Sequence, residues 1–391
     1  MRYNFDKVID RSGTSAEKVE GLKHIWGRTD LIPLWVADMD FATAPFVTDA
    51  IRKRCENEVL GYTGKPDSYY NAIINWVKQR YDLVVGKEMI NFVPGIVPGI
   101  GMAMNCFTQK GDKVMIQPPV YHPFAWVTTR NERTLVTNPL KWENGMYRMD
   151  LDTFREQIKG CKLFILCNPH NPGGVVWTEA ELRAIADICY DEKVLVFSDE
   201  IHADLTLPPH THRPFATVSE KARMNSVTFM SPSKAFNMPG LSASHALIFN
   251  EDLRKRFRIY MDAGELDMGH VFAFLSVEAA YSHGTEWLDQ CLAYIQGNID
   301  FVDDFLKNHA PKIKAIRPEA SYLVWLDCRE LKLSQKDLNE FFVDKAHLAL
   351  NDGEMFGKEG IGFMRLNVAS PRCIIEKAMK QLADAYQLYI K

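Results

Sequence analysis

Five short stretches of this 391-residue chain carry side chains suited to chemistry, and each follows an apolar run. Phe229-Met230-Ser231-Pro232-Ser233-Lys234-Ala235-Phe236-Asn237 sets a lysine just past a β-like run, with two hydroxyls immediately upstream. A lysine held out of bulk water beside a carbonyl compound can form a Schiff base. Taken alone, a Ser-x-Ser-Lys string is more often a solvated surface loop. Ser198-Asp199-Glu200-Ile201-His202 ends another run in a carboxylate, which is either a helix N-cap or the partner of a buried cation. Asn168-Pro169-His170-Asn171-Pro172-Gly173-Gly174 is a loop whose prolines and glycines fix the backbone and can aim an amide; the plainer reading is a turn held by asparagine caps. Pro118-Pro119-Val120-Tyr121-His122 places an aromatic that stacks on a flat ring or plugs the core. Pro94-Gly95-Ile96-Val97-Pro98-Gly99 opens a helical pattern, as a phosphate cradle does through free N–H groups and the helix dipole, or as a plain strand–helix turn does.

The elements that must position these residues follow from the hydrophobic pattern. From residue 88 onward, β-like runs at 89–93, 113–117, 135–138, 162–167, 194–198, 226–230 and 244–250 alternate with helical segments. One such segment is 179–191, where Leu182, Ile185 and Ile188 share a face. Alternating strands and helices predict an α/β domain with a mostly parallel sheet. In such sheets ligands bind outside the carboxyl ends of the strands, so the five stretches converge. Upstream, residues 1–30 are weakly patterned and read as an extended arm. The apolar stretch 31–41 carries Asp38 and Asp40, Pro45 opens a helix running to about residue 59, and 68–80 forms another. After about residue 285 a long helix (287–308) and short strands (312–317, 322–326, 362–368) predict a smaller α+β unit. The expected division is an arm at 1–45 joining the small domain, a large domain at 46–285 and a small C-terminal domain at 286–391.

Composition narrows the partners. The formal net charge is −4, with 47% hydrophobic and 25% charged residues, so no basic footprint for nucleic acid is present. No apolar run reaches membrane-spanning length, and no signal-like h-region follows the first residues. The eight cysteines form no C-x-x-C pair and read as free thiols in a reducing compartment. The expectation is a cytoplasmic protein without a membrane or nucleic-acid partner and without a metal site.

One ligand uses a lysine, a carboxylate, an amide, an aromatic ring and a phosphate cradle together: pyridoxal 5′-phosphate. Its aldehyde needs the lysine, and its pyridine nitrogen needs the carboxylate to stay protonated as an electron sink. That ion pair favours the charged form of both partners. The sequence resembles the fold-type-I pyridoxal-phosphate enzymes of the aminotransferase class I/II superfamily, and within it the MalY/PatB-like cystathionine β-lyases, or C–S lyases. The likeness runs from Trp35-Val36-Ala37-Asp38-Met39-Asp40-Phe41 to Met364-Arg365-Leu366-Asn367-Val368-Ala369, with the Asn-Pro-His-Asn-Pro-Gly-Gly, Ser-Asp-Glu-Ile-His and Ser-Pro-Ser-Lys motifs between them in order. It implies a three-layer α/β/α fold with a seven-stranded, mostly parallel sheet and a smaller α+β C-terminal domain.

The resemblance also implies residue roles. Lys234 carries the Schiff base and moves the Cα proton; Asp199 pairs with the pyridinium nitrogen; Asn171 donates to the ring oxygen O3′; Tyr121 stacks on the ring. The backbone of Ile96 and Val97, with Ser231 and Ser233, holds the phosphate. Tyr62 reaches the phosphate of the partner subunit, which implies a homodimer with shared active sites. Arg365 grips the substrate α-carboxylate, a two-pronged task suited to guanidinium, and the Ala37 backbone meets the same group. His202, at the cofactor, stands where many aminotransferases of the superfamily place a tyrosine; the lyase-like group has histidine, so His202 favours elimination. Ser242 stands where aspartate-aminotransferase-like enzymes carry a phosphate-binding arginine, and its part in the phosphate cup stays open. The implied reaction is β-elimination of L-cystathionine, related S-substituted cysteines or L-cysteine to a thiol, pyruvate and ammonia. The alternative is a class I/II aminotransferase, which would need a keto-acid acceptor. A non-catalytic cofactor-sensing module of the transcription-regulator kind would need a DNA-binding region and a basic stripe, neither of which this sequence shows.

Overall fold

The seven apolar runs pair into one sheet in the computed structural model, which describes residues 2–390. The strands are β1 (Ile90–Val93), β2 (Lys113–Ile116), β3 (Thr134–Thr137), β4 (Cys161–Cys167), β5 (Leu195–Asp199), β6 (Ser226–Met230) and β7 (Ser244–Leu247). Their spatial order is β1-β7-β6-β5-β4-β2-β3. β7 runs antiparallel to β1 and β6, and every other pair is parallel. Strands buried on both faces need continuous apolar runs rather than alternation, which is why these runs stand out in the sequence. One face packs on helices Ile96–Phe107, Pro123–Arg130 and Glu251–Ala263 through Val93, Ile100, Phe124, Phe229 and Phe257. The other packs on Asp67–Tyr81 and Val271–His283 through Ile73, Trp76, Met230, Leu247 and Phe274, and on Glu179–Asp191 through Leu182, Ile185 and Val196.

The reversed strand β7 matters for the site. Its amino end lies against the carboxyl ends of β1 and β6, with Ser244 opposite Val93 and His245 opposite Met230. The loops leaving β1, β2, β4, β5 and β6 and the turn entering β7 therefore share one sheet edge.

After the long helix Thr285–His309 come β8 (Lys314–Ile316), β9 (Leu323–Asp327), β10 (Asn351–Asp352) and β11 (Phe363–Asn367), an antiparallel sheet in the order β8-β9-β11-β10, and then helix Arg372–Ile390. The N-terminal segment joins this unit, because Ile32–Pro33 pairs in parallel with Leu348–Ala349. The first 30 residues are not extended throughout. They hold a helix, Glu17–Trp26, ended by Gly27 in the left-handed region (φ 67°), where a side chain would be disfavoured. The helix expected to reach residue 59 stops at Cys55. All eight cysteines are unpaired, and among the described residues no helix is long and apolar enough to cross a membrane.

Candidate active site

Lys234 lies in the turn that follows β6. The turn is tied by Phe236 N–H to Pro232 O and Met238 N–H to Ser233 O, both at 2.9 Å. The Ser231 hydroxyl donates to Ala243 O at 2.7 Å and accepts the Ser233 N–H at 3.1 Å, which fastens the turn to the start of β7. Lys234 Nζ donates to the backbone oxygen of Ala37. Burial lowers the pKa of this amine to about 8; Arg365 pushes the same way, against Asp38 and Asp199.

Asp199 ends β5, buried, beside Cys167 at the end of β4. One of its oxygens accepts the Ile201 N–H at 3.1 Å. Burial raises its pKa to about 7, opposed first by that N–H; neighbouring Glu200 adds to the rise and Lys234 opposes it. Among the described residues no cation forms an ion pair with it. A buried carboxylate in that condition calls for a cationic partner from outside the chain.

Asn171 projects from the loop after β4. The Cys167 thiol accepts the Asn171 N–H at 3.3 Å, and His170 Nε2 lies 2.9 Å from Pro119 O. The Asn171 side-chain oxygen accepts from Arg365 Nη1 at 3.1 Å, which leaves its NH2 as the group free to donate to a ligand. Tyr121 follows β2 and packs edge-on against Phe124, 5.7 Å between ring centres. These side chains line a cavity of about 210 Å³ with Ile96, Val97, His202, Ser233 and Ala37. Ile96 and Val97 begin a helix, and N–H groups of a first turn have no partner within the helix. His202 is buried with Nδ1 unpartnered, and burial lowers its pKa to about 3, so the ring is neutral. Ser242, in the left-handed region (φ 47°), and Ser244 complete the wall beside the helix start.

Arg365 arrives from β11. It is buried and bonds Asn171, Trp35 O at 3.1 Å and the Asn351 side-chain oxygen at 2.5 Å, with its guanidinium 4.8 Å above the Phe356 ring. Its Nε has no partner, and among the described residues no carboxylate lies within ion-pair distance. Burial lowers its pKa to about 10, which still leaves it charged at neutral pH. A buried cation that lacks a counter-ion costs several kcal/mol, roughly, unless an anion joins it. The place is therefore built for an anionic ligand group.

Ala37 is held in a tightly tied segment. Buried Lys18 reaches Asp40 at 2.8 Å, Arg11 reaches Asp38 at 2.6 Å and Asp40 at 3.1 Å, and the Asn237 side chain bonds the backbone of Met39 on both sides at 3.0 Å. Of the residues picked from sequence, ten line this one cavity, namely Lys234, Asp199, Asn171, Tyr121, His202, Ile96, Val97, Ser233, Ala37 and Ser242, and Arg365 bonds Asn171 in its wall. Ser231 is not in the cavity lining; its hydroxyl bonds Ala243 O, just ahead of β7. Tyr62 is elsewhere, 98% exposed on an outer groove with Met268 and His270. Tyr322, Asn351, Asn367 and Cys167 also belong to the arrangement and were not picked. Tyr322, Asn367 and Cys167 contact backbone atoms, which leave no residue pattern in a sequence, and Asn351 meets the Arg365 side chain.

The set fits pyridoxal phosphate: a buried amine of lowered pKa, a buried carboxylate without a cation, an amide with free N–H groups, a flat ring and a helix start. Comparison with known proteins gives the same direction. The family model for aminotransferase class I and II matches residues 29–382. Cystathionine beta-lyase PatB of Bacillus subtilis (strain 168) is 38% identical, covering 98% of this chain and 99% of its own length. Protein MalY of Escherichia coli (strain K12) is 31% identical, with 98% of each chain covered. The crystal structure of cystalysin from Treponema denticola, which contains a pyridoxal 5′-phosphate cofactor, superposes with a TM-score of 0.96 at 34% identity over the full length of both chains. The chain belongs to the aminotransferase class I and II family, in its PatB/MalY cystathionine β-lyase group.

Proposed function

We propose that this chain is a pyridoxal-phosphate-dependent carbon–sulfur β-lyase that converts L-cystathionine or related S-substituted cysteines to a thiol, pyruvate and ammonia. The observation that carries the reading is the meeting of Lys234 with Arg365 across Ala37 and Asn171. An amine of lowered pKa lines the cavity and an uncompensated buried guanidinium bonds Asn171 in its wall, which suits an amino acid with its carboxylate at one end and its reacting carbon at the other. Full-length likeness to a cystathionine β-lyase supplies the class of leaving group.

In this reading Lys234 anchors the cofactor, Asp199 keeps the proton on its ring nitrogen, Asn171 donates to its ring oxygen and Tyr121 covers its face. Ile96 and Val97 N–H groups and the Ser233 hydroxyl take the phosphate. Bound there, pyridoxal phosphate supplies the electron sink that makes a Cα–H bond acidic and lets a group depart from Cβ. Arg365 and the Ala37 N–H hold the substrate carboxylate, which fixes the Cα–H bond toward Lys234. Lys234 Nζ takes the Cα proton in its neutral form, which its lowered pKa makes available near pH 8. Lys234 or Tyr121 returns a proton to the departing sulfur. His202, neutral and buried, adds a polar contact without adding charge. Residues 46–285 would then carry the cofactor contacts, while 1–45 and 286–391 bring Ala37 and Arg365 to the carboxylate. A cytoplasmic homodimer completes the reading, with Tyr62 reaching the neighbouring subunit's phosphate; its near-complete exposure on a single chain supports this.

The test is L-cystathionine with no keto acid added. Pyruvate and a thiol should accumulate over many turnovers. Product that appears only when a keto acid is supplied would convert the reading to an aminotransferase.

A further inference from the structure

The backbone around Ala37 is gripped at four successive carbonyls by side chains distant in sequence. Trp35 O accepts from Arg365 Nη2 at 3.1 Å. Val36 O and Asp38 O accept from the two hydrogens of one amide, Asn367 Nδ2, at 2.6 and 2.7 Å. Ala37 O accepts from the Tyr322 hydroxyl at 2.9 Å and from Lys234. Asn367 is itself held, since its oxygen accepts the Ala369 N–H at 2.8 Å. Both Asn367 and Tyr322 are 0% exposed. Among the described residues, by contrast, no acceptor takes the Ala37 N–H, and Ala37 lines the cavity.

Peptide planarity turns these bonds into an aiming device. The Ala37 N–H lies in one plane with Val36 C=O and points the opposite way, so fixing that carbonyl fixes the direction of the N–H. The Ala37 C=O defines the next plane, and Tyr322 fixes that one. Lys234 also bonds this carbonyl, but a lysine that moves protons has to leave it; Tyr322 stays. Arg365 and Asn367 are two residues apart on β11, so their side chains share one face of the strand and meet the same segment.

We propose that Asn367 and Tyr322 are positioning residues for substrate carboxylate binding, fixing the two peptide planes that flank Ala37 so that its free N–H meets the carboxylate beside Arg365. This rests on the reading that Arg365 and Ala37 receive that carboxylate, and it adds residues that touch neither substrate nor cofactor.

The experiment is spectrophotometric titration of the cofactor-loaded protein with two amines that carry no leaving group: L-alanine, which has the carboxylate, and ethylamine, which lacks it. Asn367→Ala should weaken L-alanine binding about tenfold, the worth of roughly one lost hydrogen bond, and leave ethylamine binding within twofold. Tyr322→Phe keeps the ring and its packing and should shift the L-alanine/ethylamine ratio the same way by a few fold. An unchanged ratio in both variants, or an equal loss for both amines, overturns the proposal. If Asn367→Ala does not fold, Tyr322→Phe decides alone. Arg365→Gln is the control on the underlying reading. If it leaves the ratio unchanged, the carboxylate does not sit there; if it collapses the ratio while the other two do not, only the positioning role is lost.

Discussion

Replacing Asp199 with asparagine should push stability and cofactor binding in opposite directions. In the cofactor-free chain burial carries the pKa of this carboxyl from an ordinary 3.8 to about 7. In the unfolded chain it titrates near its ordinary value. Between those two pH values the unfolded chain has released a proton that the folded chain keeps, so stability falls as pH rises through the window. Roughly three pH units at about 1.36 kcal/mol each give about 4 kcal/mol as an upper figure. Asparagine keeps the shape and never ionises. Cofactor-free Asp199→Asn should therefore match the parent near pH 4 and exceed it by up to about 4 kcal/mol above pH 7. With cofactor bound the sign reverses, because a protonated ring nitrogen favours the ionised carboxylate and asparagine cannot supply it. Urea midpoints of the stripped proteins at pH 4.5 and 7.5, followed by cofactor titration, measure both arms. Equal stability of the stripped proteins at pH 7.5 would refute the claim that Asp199 is an uncompensated buried acid. Equal cofactor affinity would refute its assignment to the ring nitrogen.

Three further outcomes are expected. Because the Lys234 amine titrates near 8 rather than its ordinary 10.5, an amine-directed reagent should label it in the stripped protein with a rate that climbs through pH 8. Lys234→Ala should abolish that labelling and cut turnover by about 10³-fold or more, the scale of a lost general base. Arg365→Lys cannot reproduce bonds to Asn171, Trp35 O and Asn351 at once, so KM for L-cystathionine should rise roughly 10- to 100-fold with a smaller change in kcat. A fall confined to kcat would place Arg365 away from the ground-state carboxylate. Finally, Tyr62→Ala and Lys234→Ala proteins, each weakly active alone, should regain activity when mixed and reassembled. A shared-site dimer of the two then holds one doubly damaged and one intact site; no recovery would sink the shared-site proposal.

The sheet was legible because strands covered on both faces are mostly apolar until they end. Lys234, Asp199, Asn171 and Tyr121 therefore stand out as breaks in apolar runs, and topology alone brings them to one edge. The helix Glu17–Trp26 was not legible. Lys18, which it buries completely, reads in sequence as a surface cation, and only the Asp38 and Asp40 carboxylates folded over it explain its place. Ser231 and Ser233 look equivalent as a string. In the fold the Ser231 hydroxyl bonds Ala243 O, just ahead of β7, and Ser233 lines the cavity, a difference the string does not show. Tyr322 sits in an apolar run and reads as core, while Asn367 reads as the end of a strand. Each acts on backbone carbonyls more than 280 positions away, and any sequence can provide a carbonyl.

The bond from Arg365 to Trp35 O spans 330 positions, and this sets an order in which the site can come into being as the chain is made. The residues proposed to hold the cofactor within one subunit lie between Ile96 and Lys234, and Tyr62, proposed to reach the neighbouring subunit's phosphate, precedes them. The ribosome delivers all of them before β8 to β11 exist. The first residues of the proposed carboxylate site, Trp35 to Asp38, emerge early and then wait for Tyr322, Arg365 and Asn367 from the later part of the chain. On the proposed roles, a chain interrupted before β11 would have every residue assigned to the cofactor and lack Arg365 and Asn367. On those roles, the means of selecting a substrate are completed in translation only after the means of holding the cofactor.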